Sequence, residues 1–297
     1  MSTQDRTGGV VDMDGPVPDS DGLAKASAGA QTMYVYAVGR DDPTFRRSLS
    51  TLTGVDGHSV RPVGAGGLLA LVSSVPSDVF DEAALRTQME DLTRLEAIAR
   101  AHHTVVDTAF TETVVLPLRL ATVYLDESRV TAMLTEHRAR FTELLAWLDG
   151  HVELGVKVYA DPDAMTADPA GPVRSAAPSS PVSPGRAYLQ QRRQRRRSTE
   201  DLYRTAGDIA VDATKVAQGL ARAGVTHRPQ QGELSDRPGV NLTNQAYLVP
   251  AGEVDRFREH VGAVGRNVPG VHVEVTGPWA PYSFAAPDVG RDEGTPG

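Results

Sequence analysis

The sequence predicts an α+β protein built from two ferredoxin-like (split βαβ) domains. Three observations carry that expectation. Short runs such as Val271-His272-Val273-Glu274-Val275 alternate with period two, whereas the stripe Val130, Met133, Leu134, His137, Phe141, Leu144, Leu145, Leu148 recurs every three to four residues. From residue 151 the two kinds of run follow in the order β-α-β-β-α-β, which packs as a four-stranded antiparallel sheet with both helices on one face. A similar order precedes it, with a weak first helix and an extra helix at its end. A chain of 297 residues suits two modest domains. They are expected at 32–150 and 151–285, joined near Gly150.

Residues 1–31 are rich in Gly, Asp, Ser and Pro and lack periodicity, which predicts a disordered extension. Met33–Val38 reads as a strand ended by Gly39. Pro43–Leu52 suits a short helix stopped by Gly54. His58–Val63 and Leu68–Val72 read as strands, and Gly64-Ala65-Gly66-Gly67 joins them as a hairpin. Leu85, Met89, Leu92, Leu95, Ala99, His102, Val106 and Ala109 then fall on one face of a long helical segment, with Ser77 and Asp78 as upstream caps. Val114-Val115-Leu116-Pro117 is a short β-branched run ended by proline, and a second helix covers 127–148 before Gly150.

In the second domain, Val152, Leu154, Val156 and Val158 alternate as a strand. Residues 161–184 hold six prolines among Ser, Ala and Gly, the composition of a flexible loop. A helix beginning near Arg186 or Ala187 shows the apolar face Leu202, Ala206, Ile209, Ala213, Val216 and Leu220, and Gly224 is expected to end it. Strands near 225–229 and 240–249, a helix over 252–264 and the strand 271–275 complete the domain. Residues 286–297 read as a disordered tail.

No cysteine is present, which excludes disulfide and thiolate chemistry and suits a reducing compartment. No run approaches the roughly 20 apolar residues that span a membrane. The N-terminus has neither a basic start nor an apolar stretch, so it does not read as a secretory signal. A cytoplasmic location is the expectation.

Charge is unevenly spread. The net charge is −8, yet Arg186, Arg192, Arg193, Arg195, Arg196 and Arg197 crowd one stretch without an acid. Less those six charges, the rest stands at −14. The strip Arg192–Arg197 suits phosphate neutralisation, so a nucleic-acid or polyanion binder is the alternative reading. Tyr188 is the only aromatic near it, which does not suit a stacking platform. Glu200 and Asp201 offer local counter-charges, and an acidic protein partner fits better than nucleic acid.

Other candidate chemistry is weaker. The glycines 64–67 lead into a strand-like run, not into a helix that would cradle a phosphate, so turn chemistry accounts for them. His102 and His103 stand about 100° apart on a helix and do not converge on one ion. His103 and Asp107 share a face, but no His-Glu-x-x-His pattern accompanies them. Asp208 and Asp212 share a face as well, and a solvated helix surface explains them. Neither a nucleophile elbow nor a dinucleotide fingerprint is present. No cofactor or metal is expected, and the reading is not an enzyme. A small-molecule site between the domains near His102 and Asp107 is the third possibility.

The chain holds two Trp, eight Tyr and six Phe, and three of these fall in Gly277-Pro278-Trp279-Ala280-Pro281-Tyr282-Ser283-Phe284. Two prolines are expected to take this stretch out of the sheet ladder, as a stiff aromatic tail folded over a core.

That ending resembles the Gly-Pro-Trp-x-Pro-Tyr-x-Phe signature of the gas vesicle GvpL/GvpF family. Other runs agree in order: Tyr34–Val38, Ala101-His102-His103-Thr104-Val105-Val106, Val115-Leu116-Pro117-Leu118-Arg119, Glu153-Leu154-Gly155-Val156-Lys157-Val158, and Gly185-Arg186-Ala187-Tyr188-Leu189. Leu120-Ala121 stand where the family commonly has an aromatic residue and glycine, and Leu154 stands where tryptophan is common. These runs do not separate subtypes L and F. The resemblance implies a non-catalytic accessory protein of gas vesicle assembly, an adaptor, chaperone or nucleation factor. Its implied partners are the small amphipathic shell protein and other accessory gas vesicle proteins. A subunit that polymerises through strands and an apolar face is an aggregation hazard before assembly, and a partner can cover it. The partner-binding candidates are Tyr188, Arg192, Arg193, Arg196, Glu153, Lys157, Trp279 and Tyr282, with recognition at an edge strand or cleft around Val152–Val158.

Overall fold

The computed structural model describes residues 30–48, 52–80, 82–164, 184–229 and 239–285. Residues 1–29 of the expected disordered extension 1–31, the expected tail 286–297 and residues 165–183 of the Pro-rich loop lie outside the described residues, whereas Gln31 already belongs to the first strand.

The first sheet is antiparallel and contains β1 (Gln31–Arg40), β2 (Arg61–Ala65), β3 (Leu68–Pro76), β4 (Val115–Pro117) and β5 (Val123–Tyr124). Its order is β2-β3-β1-β4, and β5 also pairs with β1. Strand β1 is central and covered on both faces, which is why its sequence reads as a continuous apolar run. Val35 and Val38 face one core; Tyr34, Tyr36 and Ala37 face another. A register shift between Val35 and Ala37 lets Tyr36 and Ala37 share a face. Gly66 and Gly67 make the β2–β3 turn with φ of 61° and 83°, the left-handed conformation that a two-residue hairpin demands.

The expected long helical segment is three helices: α2 (Ser77–Phe80), α3 (Glu82–Glu90) and α4 (Leu92–Glu112); a short α1 (Pro43–Ser48) precedes them. Asp91 interrupts the segment. Its carboxylate accepts from the backbone N–H groups of Thr93 and Arg94 and so caps α4. Leu92, part of the expected apolar stripe, is therefore 74% exposed. The second helix is likewise split at His137, into α5 (Glu127–Glu136) and α6 (Arg138–Leu148).

The second sheet holds β6 (His151–Ala160), β7 (Ala223–His227), β8 (Val240–Pro250) and β9 (Val271–Trp279), with α7 (Pro184–Leu220) after β6, α8 (Val254–Ala263) before β9 and α9 (Tyr282–Ala285) last. Its order, β7-β8-β6-β9, is the split-βαβ arrangement expected from the sequence, and the first sheet repeats it. Gly224 does not end α7: it lies inside β7, where a Cβ would come within 3.1 Å of the Tyr247 ring.

Leu154, Val156, Tyr247 and Val249 pack against Ala213 and Ala217 of α7 and Phe257 and Val261 of α8. The opposite face carries Ala246 and Leu248. They join the cluster that holds Val35, Phe141, Leu145 and Leu148. Helix α6 thus lies between the two sheets, and the two halves of the chain share one core.

Candidate partner-binding surface

The C-terminal aromatic stretch is built into the seam between the halves. Contrary to expectation, Pro278 does not leave the ladder: β9 continues to Trp279, which pairs with Glu153 across a register shift. β9 is an edge strand, where a proline is tolerated. Gly277 adopts φ of 104°, and a Cβ there would stand 2.7 Å from the Glu153 carbonyl oxygen. Only glycine fits that approach. Ala280 then enters the core beside α4, and Phe284 and Ala285 enter the core between the sheets. Between them the Tyr282 ring stacks on His103 at 5.9 Å.

Polar groups line this seam. The backbone N–H and hydroxyl of Ser283 donate to the two carboxylate oxygens of Glu153, at 2.7 Å each. His227 Nε2 lies 2.9 Å from the Ser283 hydroxyl oxygen. Burial pushes the Glu153 carboxyl above the ordinary carboxylate range, against the pull of those Ser283 bonds. His103 Nε2 meets Asp107 at 2.9 Å. Burial raises the Asp107 carboxyl too. The Tyr282 hydroxyl is raised by burial and by the nearby Asp107.

His102 points away from this pair, into the core. Tyr34 accepts a hydrogen bond from the Ala121 N–H at 3.1 Å. The same hydroxyl lies 3.1 Å from His102 Nδ1, and either group can be the donor. Burial lowers His102 to about 4, so the ring is neutral. Among the described residues no three His, Asp or Glu side chains are grouped to hold a metal ion. Neither Ser283 nor His227 carries a local signal of its contact, because each matters only through a partner distant in the chain.

The second region is the start of α7. Pro184 opens it where a missing N–H costs nothing. The Arg-, Gln- and Leu-rich run that follows has good helix propensity. From Leu202 onward a stripe including Ala206 and Ala213 is buried on the second sheet. Each of residues 188–197 is exposed. Tyr188 is 63% exposed and Leu189 53%. Arg196 pairs with Glu200 at 2.9 Å. On the body side, Gln191, Gln194, Arg195, Ser198 and Thr199 face Pro162 and Asp163 across a groove of about 500 Å³.

The candidate residues therefore do not form one site. Glu153, Trp279 and Tyr282 lie at the start of β6; Tyr188, Arg192, Arg193 and Arg196 lie beyond its other end, roughly 30 Å away along the strand. Lys157 sits between them, opposite Asn244 and Glu274. The edge-strand expectation for Val152–Val158 is corrected: β6 pairs with both β8 and β9, so its backbone groups are already used. The exposed edges of this sheet are β7 and β9.

A family profile described as gas vesicle synthesis protein GvpL/GvpF matches residues 32–286. The chain belongs to this family. It is 43% identical to gas vesicle protein L of Streptomyces sp. (strain CB03234) over 85% of its own length and 92% of that protein. It is 27% identical to gas vesicle protein F of the same strain, over 84% and 98%. The crystal structure of GvpF from Anabaena sp. PCC7120 superposes with a TM-score of 0.58 at 20% identity, covering 86% of this chain and 96% of that one. GvpF from Microcystis aeruginosa gives 0.55 at 20% identity, covering 86% and 99%. These likenesses establish the α+β fold, and the family places the protein in gas vesicle formation. Among the described residues no helix is long and apolar enough to cross a membrane.

Proposed function

We propose that this chain is a non-catalytic adaptor of gas vesicle assembly. It holds the small shell protein, and other gas vesicle proteins, in an assembly-competent state at the growing vesicle in the cytoplasm. One observation carries the reading: residues 188–197 of α7 are spent on exposed side chains that contribute nothing to the protein's own core. Tyr188, Gln191, Arg192 and Arg195 recur at helical spacing, an aromatic anchor followed by cationic donors, and Gln191 and Arg195 line the groove. Such a face suits a polypeptide that brings acidic groups and an apolar side chain for Tyr188. The seam residues Glu153, Trp279 and Tyr282 serve this role by fixing the two halves relative to each other.

The test is capture of purified shell protein on the immobilised chain. Wild type retains it, and the pair Tyr188→Ala with Arg192→Glu loses at least tenfold in retention while the melting temperature is unchanged. No retention by wild type, together with normal vesicles in a deletion strain, would falsify the adaptor. The alternative, a polyanion binder using Arg192–Arg197, predicts instead a gel shift with nucleic acid that weakens steeply with salt.

A further inference from the structure

The arginine run of α7 is crowded and lacks acids. Arg192 stands three and four residues before Arg195 and Arg196, and Arg193 likewise before Arg196 and Arg197. Like charges therefore adjoin on successive turns and repel. The first turn of the helix holds no acid to offset them. Among the described residues Arg196 alone of the run has an acidic partner, Glu200 at 2.9 Å. One turn earlier, the large apolar surfaces of Tyr188 and Leu189 stand in solvent. Such a surface is complementary to a segment that brings several carboxylates with apolar residues beside them.

The chain carries one such segment. Asp12, Asp14, Asp19 and Asp21 fall within ten residues that hold no base, and Val10, Val11 and Met13 adjoin the first of them. The other long segments outside the described residues are poorer in net acid. Residues 165–183 set Asp168 against Arg174, 230–238 set Glu233 and Asp236 against Arg237, and 286–297 set Asp288, Asp292 and Glu293 against Arg291. The extension leaves the body at Ala30, whose carbonyl accepts from the Ser77 N–H at 2.8 Å. Asp21 and Asp12 stand nine and 18 residues before that point. Those lengths span about 30 and 60 Å at full extension, against about 45 Å across a compact body of this size. The tether is long enough to bring the acids to α7.

We infer that residues 10–21 fold back onto the exposed arm of α7. The aspartates lie among Arg192–Arg197, and Val10, Val11 and Met13 lie against Tyr188 and Leu189. The contact is held by charge at several points and not by one fixed register, so it weakens as salt rises. Tethering sets the local concentration of the acids at about the millimolar level, and a contact too weak to form between separate molecules is then populated. The result is an intrachain cover. It shields the arginines from polyanions in general, and an acidic partner must displace it to reach them. Only that displacement rests on the adaptor reading; the contact itself does not.

Energy transfer within the full chain tests it. The chain has no cysteine, so Ser20→Cys and Gln190→Cys accept a donor–acceptor pair without competition. High transfer is expected at low salt, falling by at least half as salt is raised to about 0.5 M. Asp12→Asn, Asp14→Asn, Asp19→Asn and Asp21→Asn together bring the low-salt transfer down to the high-salt level. Arg192→Gln, Arg193→Gln and Arg197→Gln together do the same. Combining the two sets causes no further loss, because each set acts through the other. Diluting labelled chain with unlabelled chain leaves the transfer unchanged. Low transfer at every salt concentration, transfer that ignores either set of changes, or additive losses overturn the proposal. Transfer lost on dilution also overturns it, by showing a contact between copies. No shell protein enters this experiment, so its failure and the failure of the adaptor reading are separate results.

Discussion

Ser283 closes the chain onto Glu153. Two donors from one residue reach both oxygens of one carboxylate, 130 positions earlier in sequence. Removing the carboxylate leaves a half-buried N–H and hydroxyl without their acceptor. Glu153→Ala is expected to cost about 1–3 kcal/mol in urea unfolding. Ser283→Ala costs less, because the backbone N–H bond survives. Equal stability of Glu153→Ala and the parent would show that this contact does not hold the seam.

His102 makes stability depend on pH. Its folded value is about 4, below the ordinary histidine value of 6.5. The unfolded chain therefore binds the extra proton between those values. The contribution is complete above about pH 6.5 and is lost as pH falls toward 4, a change of about 3 kcal/mol. Glu153 and Asp107 work oppositely, since their raised values favour the folded state at low pH and lose that advantage as pH rises. Comparison with His102→Asn isolates the histidine, because asparagine keeps a hydrogen-bonding group for Tyr34 and does not titrate. The melting temperature of that variant should fall less between pH 6.5 and 4 than that of the parent.

Ala121 has φ of 62°, a conformation that costs a residue with a Cβ about 1–2 kcal/mol. Its N–H must point at Tyr34, which holds it there. Ala121→Gly removes the strain and adds about 0.4–1 kcal/mol of unfolded-chain entropy. A net gain of up to about 1 kcal/mol is expected in thermal unfolding. A lower melting temperature would mean that the Ala121 methyl contributes packing that outweighs the strain.

Helix α7 should tolerate change unevenly. Arg192→Ala and Arg193→Ala are expected to stay within about 0.5 kcal/mol of the parent, as exposed side chains do. Leu202→Ala, two to three turns further on and 4% exposed, should cost about 2–3 kcal/mol. Differential scanning fluorimetry separates the two classes. Comparable losses at Arg193 and Leu202 would mean that the arm is packed in solution.

Legibility differed from element to element. The strand β1, the hairpin at Gly66-Gly67 and the stripe from Leu202 were readable because alternation, turn glycines and helical spacing are local signals. The break at Asp91 was hidden, since an aspartate inside a periodic run reads equally as a surface residue or a cap. Of the candidate residues, the arginines and Tyr188 were visible as a charged run with an aromatic before it. Glu153 is a partner-binding candidate on the sequence, and its bonds to Ser283 are hidden there because the two residues stand 130 positions apart.

By itself the sequence determined the element types, the β-α-β-β-α-β order and membership in the GvpL/GvpF family, because periodicity and motif are properties of neighbouring residues. Tertiary structure alone decided that β6 is central, that α6 is shared by both sheets and that residues 188–197 of α7 stay in solvent. The reason is that a strand's neighbours and a helix's cover are set by contacts between residues far apart in the chain, which no local pattern records.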